Sequence, residues 1–305
     1  MPALAQAFGY PGNQKPGCGF PVPKILGMFD AVTGLMIEAL CFPLFTHEAS
    51  KVWKLHPLRG PGDLLVEDRG FCSFVHLALL GLRNVQGLFR LHQKQIADFR
   101  PRRKRRHKGQ KGRPSSRFVR RLGKYDQLVE WFRPARKPLW MNARQWASLP
   151  ETLLVRELRY HLSADGQRSR CVTIATTLLD PMRYPKEKIA ALYGIRWTVE
   201  THFAELKTTL RMRKLKCRTV EGVHKELAVY CLVYNLVHMI MLQAAHRQRV
   251  DPDRISFIDA LRWLTHADPL EPLPDLIVNP RRPHRHQLRV IKDRNDTYPR
   301  MTQPR

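Results

Sequence analysis

Four side chains able to do chemistry fall close together late in the chain: Tyr193, Arg196, Glu200 and Lys207, within YPKEKIAALYGIRWTVETHFAELKTTL at 184–210. Pro185 stands where a first helical turn tolerates proline, and no other proline interrupts the stretch, so the spacing predicts one long helix. At about 100° per residue, Leu192, Ile195, Val199, Phe203, Leu206 and Leu210 share an arc of about 80°, the expected buried stripe. The phenol, guanidinium, carboxylate and ammonium share a second arc of about 60° at its rim. A carboxylate is the group Mg²⁺ prefers. By geometry alone, Arg196 and Glu200 serve equally well as an ordinary i,i+4 ion pair.

A second carboxylate, Asp68, ends the apolar run Leu64-Leu65-Val66-Glu67 and precedes Arg69-Gly70. From the residues alone it either binds a cation or closes a strand-to-helix turn as a cap. Two divalent cations about 3.5–4 Å apart stabilise the attacking and leaving oxygens of phosphodiester cleavage, which is the chemistry a pair of such acids would serve.

The elements that must position these acids follow from patterning. Residues 1–20, rich in Gly and Pro, read as loop. Two apolar runs between Phe20 and Pro43 flank Asp30-Ala31-Val32-Thr33-Gly34 and read as a β-hairpin. A short helix with loop is expected at 47–60, a strand at Asp63–Asp68, a helix at Phe74–Leu82 and a strand at Val85–Leu91. Strand-like alternation recurs at Leu153–Leu162 and Arg170–Leu178. Long and short helices follow at Glu221–Arg247 and Ser256–His266, then an irregular basic tail from Asp268. The apolar run Leu227–Ala245 contains Asn235, His238 and Gln243 and reads as a core helix, with no membrane partner expected. This order suits an α/β fold with a ribonuclease-H-like mixed-sheet core.

The spacing Y-x2-R-x3-E-x6-K over Tyr193, Arg196, Glu200 and Lys207, with Trp197 and Phe203 between, resembles the C-terminal motif of bacterial insertion-sequence transposases of the DDE class. Asp68-Arg69-Gly70-Phe71 followed by Ser73 resembles the D-R-G-[FY]-x-S stretch that holds their second acid. The likeness extends from Gln14-Lys15-Pro16-Gly17-Cys18-Gly19-Phe20-Pro21 to the Arg/Pro-rich end. It implies a catalytic and metal-binding role for Asp68 and Glu200 with Mg²⁺ (or Mn²⁺). It also implies phosphate contacts for Arg196 and Lys207, and contact of Tyr193 with the strand beside the cut. The implied organisation is a first core part at 1–91, a basic β-rich insertion at 92–170 before the last core helices, a helical second core part at 171–267 and a basic tail at 268–305.

The start of the chain departs from that pattern. Family members carry a first acid on an opening strand in a D-G-[ST] context, whereas here no acid precedes Asp30, which reads as a hairpin turn. The expectation is therefore a core lacking its first strand, an N-terminally truncated transposase impaired in catalysis. The alternatives are an inactive DNA-binding remnant and a nuclease of the same fold.

Charge points the same way. Lys and Arg number 53 against 26 Asp and Glu, a net +27, which calls for a polyanionic partner. Thirteen Lys or Arg and no acid lie between Arg100 and Lys124, and the block Arg102, Arg103, Lys104, Arg105 and Arg106 reads as a disordered or loop-borne arm on DNA phosphate. Trp131, Phe132, Trp140 and Trp146 are expected to pack a small β subdomain rather than to stack on bases. The partner is then double-stranded DNA, at element ends and target, bound by a possible homodimer. Six scattered cysteines without C-x2-C pairs, no histidine cluster at zinc spacing and no signal peptide fit a cytoplasmic, nucleoid-associated protein without structural zinc.

Overall fold

A computed structural model describes residues 2–12, 18–101, 106–109, 113–162, 170–266, 268 and 271–280. The element order is α1 (Pro2–Phe8), β1 (Pro23–Phe29), β2 (Met36–Pro43), three 3-10 turns at 48–58, β3 (Leu64–Glu67), α2 (Phe74–Gly81) and β4 (Gln86–Arg90). Then come β5 (Arg106–His107), β6 (Ser116–Gly123), β7 (Asp126–Phe132), α3 (Ala143–Ala147), β8 (Thr152–Leu162) and β9 (Arg170–Thr176). The chain ends in α4 (Lys186–Gly194), α5 (Thr198–Ala204), α6 (Val220–Gln248) and α7 (Phe257–His266). It divides into two compact units, one of His47–Arg196 and the other of Met1–Thr46 with Trp197–Arg305.

The unit His47–Arg196 is built on a seven-stranded mixed sheet of order β3-β4-β9-β8-β7-β6-β5. β3 and β4 are parallel, so the chain must cross over between them, and α2 is that crossover. All other neighbours pair antiparallel. β9 returns beside β4, so β5 to β8 extend the sheet that carries Asp68 instead of forming a sheet of their own. α4 lays Ile189 and Tyr193, one turn apart, against Leu88, Leu158 and Ile174 of the sheet. Trp131 is 1% exposed on β7 and Trp140 stacks on Trp53 and His76, so these indoles pack within the unit as a whole rather than within a small β subdomain.

Two buried polar groups stitch the centre of this sheet. Arg156 makes a two-pronged pair with Asp126, at 2.8 and 2.5 Å, and donates to the Tyr184 carbonyl at 2.7 Å. Glu157 accepts from Gln127 and from the Trp131 indole at 3.0 and 3.1 Å. Burial pushes the Glu157 carboxyl up to about 7, although both hydrogen bonds and Arg159 oppose the shift.

In the other unit the β1–β2 hairpin is antiparallel with one bulge at Met28/Phe29. Its turn is an Asx-type turn, in which Asp30 Oδ1 accepts from the amides of Val32 and Thr33 and from the Thr33 hydroxyl. Gly34 closes the turn at φ +73°, a left-handed conformation that favours glycine. α6 supplies the core with Leu227, Tyr234, Val237, Met241 and Ala245, packed with Leu206, Phe257 and Ala260. By length and composition α6 could cross a bilayer. Its polar residues are used inside the unit: Asn235 bonds both the amide and the carbonyl of Met36, clamping β2 to the helix, and Tyr234 donates to the Gly34 carbonyl.

Three expectations are corrected. Residues 2–8 form a helix, because Leu4 and Phe8 bury one face against Val223 and override the surrounding loop-forming residues. The helix of 184–210 is not one regular helix but α4, a 3-10 turn at Ile195–Trp197, α5 and a π-helical turn at Glu205–Thr209. Tyr193 shares the buried face of α4 with Ile189 and is 3% exposed, whereas Ile195, in the 3-10 turn, is 38% exposed, the reverse of the uniform wheel for these two residues. The basic segment is not all loop: Arg106 lies on β5 and Arg117, Arg120 and Arg121 on β6, where pairing with β7 orders the backbone. The described part of the tail has no helix or strand apart from one bridge of Val278 to Ile255, and it buries Leu273 and Leu276 in the α6 core.

Candidate active site

Asp68 stands at the end of β3, one residue beyond the buried Glu67, and is itself half-buried. Strand alternation turns Glu67 and Asp68 to opposite faces. Glu67 is enclosed, and burial pushes its carboxyl up to about 8. Asp68 is not the cap of the following helix. Ser73 has that role, its hydroxyl accepting from the His76 amide at 3.2 Å. The Asp68 carboxylate accepts from the Arg69 amide at 2.8 Å and lies 3.5 Å from the Tyr193 hydroxyl. Asp68 does close the strand-to-helix turn, its carbonyl accepting from the Phe71 amide at 3.0 Å, but it does not cap the helix.

Tyr193 presents its phenol from α4, held by the apolar packing of its ring. Burial and the nearby Asp68 charge push this hydroxyl well above the ordinary tyrosine range, so it is a protonated donor facing the carboxylate. The Arg196 guanidinium sits 5.8 Å from the same ring's centroid. Asp68, Tyr193 and Arg196 therefore form one cluster in the unit His47–Arg196, although 125 residues separate the first two.

The motif continues across the unit boundary. Glu200 is exposed on α5, and Lys207 is exposed on the π-helical turn, its ammonium 5.1 Å from the Phe203 ring centroid. Lys207 lines a cavity of about 520 Å³ in its own unit, together with Arg213, Lys216 and Arg218 over an apolar floor of Leu4, Phe8 and Val223. Of the basic arm, Arg106 is described, exposed on β5 with its guanidinium 4.8 Å from the Phe132 ring centroid. Arg102, Arg103, Lys104 and Arg105 lie outside the described residues.

The donor chemistry suits a hard divalent cation. Asp68 offers a carboxylate at a strand end whose lone pairs are not consumed by helix capping, and Glu200 offers a second on an exposed helical surface. A group that spacing did not reveal also emerges: His202, Glu205 and His238 place one donor atom each within 4.8 Å of one another. Its local signal is His202-x2-Glu205, an i,i+3 pair on one helix face, but the third member arrives from α6 and only folding brings it there.

A mixed sheet with a parallel β3-α2-β4 crossover fits a ribonuclease-H-like α/β fold of the kind that processes nucleic acid. The family model described as "Transposase DDE domain" matches residues 4–236, a span that includes Asp68, Glu200 and Lys207, and the chain belongs to that family of insertion-sequence transposases. Over 299 residues it is 26% identical to "Transposase InsG for insertion sequence element IS4" of Escherichia coli (strain K12), an alignment covering 92% of this chain and 62% of the relative. The chain thus spans about 62% of the length of that relative. Transposases of this family generally use divalent metal ions and act on DNA.

Proposed function

We propose that this chain carries the DNA-processing region of a transposase that cleaves the ends of its own insertion sequence and joins them to a target. The observation that carries the reading is the Asp68–Tyr193–Arg196 cluster, which places an acid, a neutral donor and a cation at the end of β3 within the family-matched span. Asp68 and Glu200 are proposed to hold Mg²⁺ or Mn²⁺. When bound, such an ion lowers the cost of charge building up on the attacking and leaving oxygens of a phosphodiester. The remaining work falls to side chains. The Tyr193 hydroxyl orients Asp68 by donating toward Oδ1, Arg196 and Lys207 anchor phosphates, and the segment Arg102–Arg106 tracks the duplex backbone. Two molecules acting together on the DNA complete this reading.

The assigned carboxylates are two, and no third is assigned to Asp30, whose Oδ1 serves three donors of its own hairpin turn. We therefore infer that residues 1–305 by themselves bind DNA but cleave it poorly, which favours a DNA-binding remnant as the second reading. The test is incubation of the purified chain with Mg²⁺ and duplexes bearing the repeats that flank its gene, alongside Asp68→Asn and Glu200→Gln. Binding without cleavage supports the impaired chain. Cleavage lost in both variants supports the assigned acids and overturns the impairment. Cleavage retained in both variants overturns the site.

A further inference from the structure

The π-helical turn that follows Glu200 gathers a set of donors outside the DNA chemistry. Glu205 opens this turn, and π turns recur at functional sites because one residue is inserted into the helical register. His202, one turn earlier, and His238, from the middle of α6, converge on its carboxylate. His238 Nε2 lies 3.3 Å from Glu205 Oε2, and His202 Nδ1 lies 3.6 Å from the same oxygen. The second distance is ion-pair range, too long for a hydrogen bond, and among the described residues the solvent-shielded His202 Nδ1 has no hydrogen-bond partner.

We infer that His202, Glu205 and His238 form a binding site for a borderline transition-metal cation, with Zn²⁺ as the fitting ion. Two imidazoles and one carboxylate are the ligand set of a three-protein-ligand zinc site with its fourth position open. Metal–nitrogen and metal–oxygen bonds of about 2.0–2.1 Å at tetrahedral angles put neighbouring donor atoms about 3.3–3.4 Å apart. The observed 3.3 Å matches one edge of that tetrahedron and 3.6 Å lies just above a second, while all three donors lie within 4.8 Å of one another, so the two rings would draw in toward an ion held at Glu205. A cation at the centre would also give the shielded His202 Nδ1 a partner at bonding distance in place of the Glu205 oxygen at 3.6 Å.

The surroundings hold the rings in place. Phe29 stacks on His202 at 5.1 Å with planes 26° apart, and the Tyr234 ring centroid is 4.4 Å from that of His238. Gly34 passes so close that a Cβ there would lie 2.7 Å from His238 Nδ1, so the hairpin turn forms one wall of the site. Side-chain exposures of 12%, 16% and 6% for His202, Glu205 and His238 leave a route for an ion while shielding the donors. The site joins the β1–β2 turn, the π turn and α6, so an ion there would fasten the helix that follows Glu200 to the core of its own unit.

The experiment titrates the full 305-residue chain with Zn²⁺ by calorimetry and with Co²⁺ by visible absorption, in the wild type and in an Asp68→Asn/Glu200→Gln background that removes the carboxylates proposed for Mg²⁺. One saturable Zn²⁺ per chain and an intense tetrahedral Co²⁺ spectrum are expected in both. His202→Gln should weaken Zn²⁺ by at least about 100-fold, since even outer partners of metal ligands cost 10–100-fold. The wild-type Co²⁺ spectrum decides the matter even where His202→Gln fails to fold. A six-coordinate spectrum, an absence of saturable Zn²⁺, or Zn²⁺ affinity unchanged in a folded His202→Gln would each overturn the site. Binding lost only in the Asp68→Asn/Glu200→Gln background would also overturn it and assign the ion to those carboxylates.

Discussion

The Tyr193 hydroxyl lies 3.5 Å from Asp68 Oδ1, while its ring is locked between Leu88, Leu158 and Ile189. The residue therefore has two separable roles, and two substitutions divide them. Tyr193→Phe removes the hydroxyl alone and should change stability by no more than about 1 kcal/mol, because the hydrogen bond is long. Tyr193→Ala removes the ring and should cost about 3–5 kcal/mol. Urea unfolding of both variants checks the contrast; equal losses would show that the polar interaction, not packing, dominates.

Asp68→Asn and Glu200→Gln should each weaken Mg²⁺ binding by about tenfold or more, since each removes a hard anionic ligand. In metal-free buffer the same substitutions should leave DNA affinity unchanged or raise it, because a negative charge beside phosphate disappears. Fluorescence anisotropy with chelator and with Mg²⁺ separates the two effects. Weaker DNA binding in chelator would contradict the assignment.

Replacing Arg102, Arg103, Lys104, Arg105 and Arg106 by Ala should flatten the dependence of log affinity on log salt. Each phosphate that a side chain no longer neutralises lowers the slope by about 0.9 on duplex DNA. An unchanged slope would place the arm away from the duplex.

Glu157 gives a pH signature. Burial raises its carboxyl from 4.5 to about 7 in the folded chain, so the folded state binds the proton more tightly than the unfolded state. The stabilisation this confers is full below pH 4.5 and is lost as pH rises through 7. Thermal melts of Glu157→Gln should therefore fall less between pH 5 and 8 than those of the wild type, by on the order of 1–3 kcal/mol. His56 and His76, which burial holds near 3 and 4, act oppositely, destabilising the fold as pH falls below 6.5 in wild type and variant alike.

Gly34→Ala should destabilise the protein by about 2–4 kcal/mol. Its φ of +73° strains any side chain, and the added Cβ would meet the His238 ring at 2.7 Å. Calorimetric melting measures it; a loss below about 1 kcal/mol would show that the α6 ring moves aside freely.

Much of the fold could be read from local pattern. The β1–β2 hairpin, β3, α2, β4 and α6 each carry an apolar period, a cap or a turn residue that acts over a few positions, and each forms where that pattern lies. Asp68 and Glu200 were singled out for a different reason: their immediate neighbours resemble two motifs of a known family. α1 was hidden, since its stability comes from Leu4 and Phe8 meeting Val223, more than 200 residues away along the chain. The break of the 184–210 helix was hidden too, because a uniform 100° wheel contains no 3-10 or π turn.

What the sequence alone determined is the chemistry on offer: acids, cations and aromatic groups at short spacings, a strong positive charge, and the elements on which they ride. Tertiary structure decided which of those groups meet. It released Asp68 from capping by giving that task to Ser73, set Tyr193 against it across 125 residues, and drew His238 to His202 and Glu205. Periodicity fixes a side chain's direction within its own element, whereas the partner it faces depends on how distant elements bury their apolar faces together, and that is settled only when the whole core packs.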